Sequence, residues 1–276
     1  MRFSSRPELP DEWASPRRRR RDIAANTIVI AIAAVSMGFG VLSGAAGNLM
    51  ALRYSLLFGV VMILVVALGA TMRKQSVDLS KAIRTVDGVQ PGTEIRHSAT
   101  QFILLVALIS CSAALFALAA VETSAGNDEA VVSAPALLFG TIGLILLSFP
   151  VIVGLGRVRR GGLELSQHGV GQRGWSFESR LSWSDVAGMK PAYNGYPIIL
   201  LIAYENAHWD HRYTTRIWRI DRLPPVPMIE IDCRKFDVDP AVLLSFLAAY
   251  VDTPENRTEL GTPAAHSRAQ LPDPYR

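Results

Sequence analysis

From Pro135 to Gly156 the chain reads PALLFGTIGLILLSFPVIVGLG without one charged residue, and Arg157, Arg159 and Arg160 follow at once. An apolar run of about 20 residues is long enough to cross a ~30 Å hydrocarbon layer as a helix. Lys and Arg concentrate in cytoplasmic loops, so the arginines place the end of this run at the cytoplasmic face. The run also divides the chain. Before it the sequence is mostly apolar, and after it the sequence has the texture of a soluble domain.

Three more stretches have the same character: residues 23–42, 54–72 and 102–121, with 135–156 as the fourth. The first follows an unbroken basic run, Arg17 to Arg21. It is too long for a signal-peptide core and no small-x-small cleavage site closes it, so it reads as a retained span. The tail to Asp22 carries seven arginines against four acids, residues 73–101 carry five Lys/Arg against three acids, and residues 122–134 carry three acids and no base. Four spans with both termini in the cytoplasm of a cell-membrane protein put every basic cluster on one side. The connections at 43–52 and 122–134 then lie outside.

From Arg157 onward fifteen Lys/Arg face fourteen Asp/Glu, a balance that argues against nucleic acid as a partner. Cys111 lies in an apolar run and Cys233 in the soluble part, so they form neither a disulfide framework nor a metal cluster. No cofactor and no metal are expected.

The four cores contain no charged residue, which weighs against ion or proton transport. The bundle reads as an anchor. A transporter or channel subunit with a cytoplasmic regulatory domain is the alternative. Ser36, Gly40 and Gly44 recur every four positions, a spacing that lets helix backbones approach closely. They serve either contact within the bundle or a self-association face that would make a homo-oligomer. Pro150 should kink the fourth span or free a carbonyl. In the 73–101 loop, Leu79, Ile83 and Val86 fall at helical spacing before a VDGVQPG turn, which predicts a short interfacial helix with Lys81 and Arg84 towards headgroups.

Beyond Gly161 short strand signals alternate with turns: residues 163–165, 170–173, 181–186, 198–204 and 228–232, with one more around 214–220. FDVDPAVLLSFLAAYVDTP then reads as a helix, with Asp239 as cap, Pro240 in the first turn, and Leu243, Phe246, Leu247 and Tyr250 on one face. The domain is expected over 161–253 as a self-sufficient unit, between disordered tails at 1–22 and 254–276. LELSQHGV, RLSWSDVAG, MIEID and the closing helix resemble bacterial PH-like domains. With the tail PENRTELG, the chain resembles actinobacterial multi-pass membrane proteins that carry such a domain C-terminally. The resemblance implies antiparallel strands capped by a C-terminal helix, in a binding or oligomerisation module. The dense basic hairpin of phosphoinositide-binding members is absent, since the first hairpin offers only Arg173 and Arg180.

GVGQRG at 169–174 spells a dinucleotide fingerprint, but a strand follows where a helix is needed, so its glycines read as turn residues. His208-Trp-Asp-His211 lacks a third ligand and reads as a surface loop. Glu164, Glu178 and Asp185 read as single solvated or turn acids, and Trp183 with Asp185 as residues fixing a strand-to-turn geometry. No nucleophile constellation stands out, so no catalytic residue is assigned and the protein reads as non-enzymatic. The most unusual stretch is HWDHRYTTRIWRIDR at 208–222, where basic and aromatic residues interleave. Trp209, Arg212, Arg216, Trp218 and Arg219, with Arg157, Arg159 and Arg160, are the candidate contacts for membrane lipids or a protein partner. A plain strand with one buried aromatic face is the competing reading. The expected function is to anchor an interaction domain at the inner leaflet.

Overall fold

The computed structural model describes residues 10, 13, 16–73, 78–86, 91–125 and 133–270, and of 16–22 the backbone alone. It divides into a helical unit, residues 16–71 and 100–156, and a sheet unit drawn from residues 1–15, 72–99 and 157–276.

The helical unit holds α1 (Pro16–Ala45), α2 (Leu49–Thr71), α3 (Ala99–Ala125) and α4 (Ala134–Gly154). All four are long and apolar enough to cross a membrane. A long apolar helix is present at each expected span, but most of the helices run past the apolar core. Pro16 suits a first turn and arginine is a good helix former, so α1 begins inside the stretch expected to be a disordered tail. The connection expected at 43–52 shrinks to three residues. Gly47 takes a left-handed φ of 89°, the Asn48 N–H donates to the Ser43 carbonyl, and the Asn48 side chain accepts from the Ala51 N–H at 3.0 Å. Helix stop and helix cap are thus adjacent, and Arg53 lies inside α2. Pro150 lies inside α4, which continues to Gly154.

The sheet unit departs most from expectation. Residues 79–86 form a single 3-10 turn, Leu79–Lys81, and then strand β1 (Ile83–Val86), which pairs antiparallel with β2 (Gly92–Arg96). The expected interfacial helix does not exist. Leu79, Ile83 and Ile95 are buried in the domain core instead, Leu79 from the 3-10 turn and the β-branched Ile83 and Ile95 as directly opposed residues of the β1–β2 pair. The turn at 87–90 lies outside the described residues.

β2 in turn pairs with β3 (Gly162–Ser166), and β4 (Gly169–Arg173), β5 (Phe177–Ser182) and β8 (Trp209–Tyr213) complete a six-stranded antiparallel sheet. A second sheet holds β6 (Val186–Tyr193), β7 (Pro197–Ala203) and β9 (Met228–Asp232). The strand expected at 181–186 stops at Ser182. There Trp183 starts a 3-10 turn and its indole N–H donates to the Ser166 carbonyl at 2.7 Å, as the chain passes from one sheet to the other. No strand forms at 214–220; the strand is β8, just upstream.

Leu163, Leu165, Ile199, Leu201, Ile229 and Ile231 fill the interior beneath α5 (Pro240–Val251). Asp239 caps α5 as expected, accepting from the Ala241 N–H at 2.9 Å, and Leu243, Phe246, Leu247 and Tyr250 are buried. The domain does not end at 253. A 3-10 segment (Pro254–Glu259) and α6 (Pro263–Ala269) follow, Leu260 is fully buried, and the Gly261 N–H donates to the Thr93 hydroxyl of β2 at 2.9 Å. At the other end, the Trp13 indole donates to the Ala192 carbonyl at 3.0 Å. The two sheets and their closing helices agree with the expected antiparallel strands capped by a C-terminal helix, but their boundaries are wider than 161–253.

Candidate functional site

Ser36 donates to the Ser55 carbonyl at 3.3 Å, a Cβ on Gly40 would lie 2.6 Å from the Ser55 Cβ, and one on Gly44 would lie 2.9 Å from Leu52. All three residues therefore face α2 within the chain.

Where the chain re-enters the sheet unit after α4, Val158 is buried while Arg157 and Arg159 are exposed. The Arg159 N–H donates to the Trp175 carbonyl at 3.3 Å. The Arg160 Nε donates to the His97 carbonyl at 2.5 Å, so this candidate lipid residue is partly committed to the fold. His97 itself is buried, edge-on to Phe236 at 4.7 Å, and neither ring nitrogen has a hydrogen-bond partner. A Cβ on Gly161 would come within 2.6 Å of its Nδ1, so the glycine is what admits the ring. Burial, then the charges of Lys235 and Arg160, hold the imidazole pKa well below its ordinary value.

The outward face of the six-stranded sheet is a mixture of charges. Arg96, Gly162, Arg173, Glu178 and Arg212 form one row across it, and Arg84, Glu94, Glu164, Gly171, Arg180 and Asp210 form the next. Glu178 is not the single solvated acid expected: it pairs with Arg212 at 2.7 Å and Arg173 at 3.2 Å. Burial pushes its carboxyl up, but the Arg212 hydrogen bonds and the charges of Arg173 and Arg212 outweigh that and hold it below the usual range. Arg212 is thus an intramolecular partner. Gly169 and Gly171 of the GVGQRG stretch are strand residues, not turn residues.

His208–His211 is no surface loop either, because Trp209 starts β8 and its indole donates to the Ser179 hydroxyl at 2.8 Å. The rings of Trp209 and His211 stack at 3.9 Å. The polar His211 stands between Trp209 and Tyr213 and interrupts their apolar face, which hides the strand in the sequence. Among the described residues no group of three or more His, Cys, Asp or Glu could hold a metal ion.

From Thr214 the chain forms a long loop to β9, and a buried acid missed by the sequence reading anchors it. Asp221 accepts from the Trp175 N–H at 2.6 Å and pairs with the Lys235 ammonium. The Asp221 N–H donates to the Ser176 hydroxyl at 3.3 Å, and the Thr214 N–H donates to the Ser176 carbonyl at 2.9 Å. Thr214 and Asp221 therefore both hang on the Trp175–Ser176 turn. Arg216, Arg219 and Arg222 are exposed, Trp218 is half-buried, and Arg219 lies over the Tyr213 ring at 4.6 Å. The candidate residues thus fall into two groups: Trp209 and Arg212 belong to the sheet, whereas Arg216, Trp218 and Arg219 belong to the loop. No family model, no curated protein and no solved structure matches this chain.

Proposed function

We propose that this is a non-enzymatic integral membrane protein of the cell membrane, with four spans and both termini cytoplasmic, that holds a PH-like interaction domain at the inner leaflet. The observation that carries the reading is the pairing of β2 with β3. β2 precedes α3 and β3 follows α4, so residues on either side of this two-helix excursion belong to one sheet. Two helices that leave and return to the same domain must cross a membrane an even number of times. The Arg17–Arg21 run, Arg73 and Arg157–Arg160 then share a side, which the positive-inside rule makes cytoplasmic.

Two antiparallel sheets closed by a C-terminal helix support a PH-like fold. Asp221 is held by Lys235, Glu178 by Arg173 and Arg212, and Glu259 by Arg268, which supports a structural use of these three acids. What remains on the surface is suited to contact.

Photo-crosslinking in native membranes tests this, with p-benzoylphenylalanine at Arg180 or Asp210 of the full chain. A discrete adduct that excess purified protein competes away is the expected result. No adduct from any position, together with solute flux through proteoliposomes of the purified protein, would replace the reading with a transporter.

A further inference from the structure

We propose that residues 214–222 are a membrane-surface contact, with Ile217 entering the bilayer interface while Arg216, Arg219 and Arg222 meet anionic headgroups. This rests on the anchored-domain reading and adds the surface by which the domain meets the lipid.

Among the described residues of the sheet unit four large hydrophobics are exposed, and Ile217 is the most exposed of them at 71%. The others, Ile202, Tyr204 and Val226, lie on or beside β7 and β9, without an arginine as immediate neighbour. Ile217 sits within the sequence Arg-Ile-Trp-Arg. An exposed aliphatic residue among cations suits the boundary between acyl chains and headgroups, where the apolar group leaves water and the cations stay in it.

The local charge has one sign. The sole acid of the segment, Asp221, is 8% exposed and already paired with Lys235, so the surface of the loop is purely cationic. Arg212 is left out of the contact because Glu178 neutralises it.

Covalent connection keeps this loop near the bilayer. Its ends hang on Trp175 and Ser176, and Trp175 is hydrogen-bonded to Arg159, five residues beyond the end of α4. A chain advances at most about 3.6 Å per residue, so the anchoring turn lies within roughly 20 Å of that helix end in any orientation of the domain. Exposed Arg157 and Arg159 add two more cations along the same path. Trp and Arg also dominate protein interfaces, but a partner protein has no such enforced proximity, whereas the anionic leaflet does.

The test uses the full chain in nanodiscs, with Ile217→Cys carrying an environment-sensitive fluorophore and Lys190→Cys, exposed on β6, as control. Cys111→Ala removes one native thiol, and Cys233 is fully buried with its thiol pKa pushed up, so it does not react. In phosphatidylcholine–phosphatidylglycerol discs the probe at 217 should shift to the blue and be quenched by doxyl-labelled lipid, while the probe at 190 should do neither. High salt, or Arg216→Ala with Arg219→Ala and Arg222→Ala, should abolish both signals. A probe at 217 that behaves like the one at 190 in a folded protein overturns the contact. So does a blue shift that appears only when other membrane proteins are present. In either case, a sheet unit still mapped to the cytoplasmic side would leave the anchored-domain reading standing.

Discussion

Ile95 and Leu163 lie directly opposite one another on adjacent antiparallel strands, both fully buried, although α3 and α4 separate them in the chain. The sheet unit is therefore woven from segments on both sides of two apolar helices, and neither segment is a domain by itself.

Residues 157–270 alone should consequently fail to fold cooperatively. They lack Leu79, Ile83 and Ile95, whose burial contributes roughly 2 kcal/mol each. The sum is about 6 kcal/mol, comparable to the whole stability of many domains. Joining residues 72–99 to residues 157–270 through a Gly/Ser linker should restore a sharp urea transition in near-UV circular dichroism. A cooperative transition in residues 157–270 alone would show that β1 and β2 are decoration.

His97 should give the domain an acid-sensitive stability. Its folded pKa lies below the ordinary 6.5, so the unfolded state binds the proton more readily. The domain thus keeps its full stability above pH 6.5 and loses up to about 1.4 kcal/mol per pH unit below it, until the folded pKa is reached. All five tryptophans, Trp13, Trp175, Trp183, Trp209 and Trp218, belong to the sheet unit, so their fluorescence follows its unfolding alone. His97→Leu should flatten the pH dependence whatever it does to stability at neutral pH. An unchanged slope would place the acid sensitivity elsewhere.

Gly40→Leu should destabilise the α1–α2 hairpin by about 1–3 kcal/mol, since the new side chain must displace Ser55. Gly38→Leu is the matched control, because a Cβ there meets nothing within 4 Å. Thermal unfolding of the purified full chain in detergent, followed by far-UV circular dichroism, should separate the two variants. Equal midpoints would mean that the small-residue face does not govern this packing.

The features legible in the sequence are those that local physics determines. Hydropathy alone locates the four helices, and Asp239 with Pro240 announces α5. The obscured features depend on distant partners. Leu79, Ile83 and Val86 fit a helical face as well as a turn followed by a strand, and the pairing of β1 with β2, itself joined to the distant β3, makes the strand. Trp209–Tyr213 hides because its outward residues pair with β5 charges. The Gly261 N–H reaches the Thr93 hydroxyl of β2 and Leu260 is buried, so a tail with loop-like composition is held in place by a distant strand. The candidate contacts show the same limit: composition singles out 208–222 as a whole, but the ion pair of Arg212 and the anchoring by Asp221 divide it into sheet and loop.

The sharing of one membrane side by the four chain passages into the sheet unit is tested most directly by thiol labelling in intact cells. Asn48→Cys lies in the α1–α2 connection, Ser133→Cys in the α3–α4 connection, and Lys190→Cys in β6 of the sheet unit. With Cys111→Ala as background, a membrane-impermeant maleimide should modify positions 48 and 133 from outside, and position 190 only after permeabilisation. Labelling of 190 in intact cells, or protection of 133 while 48 reacts, would contradict the woven four-span arrangement.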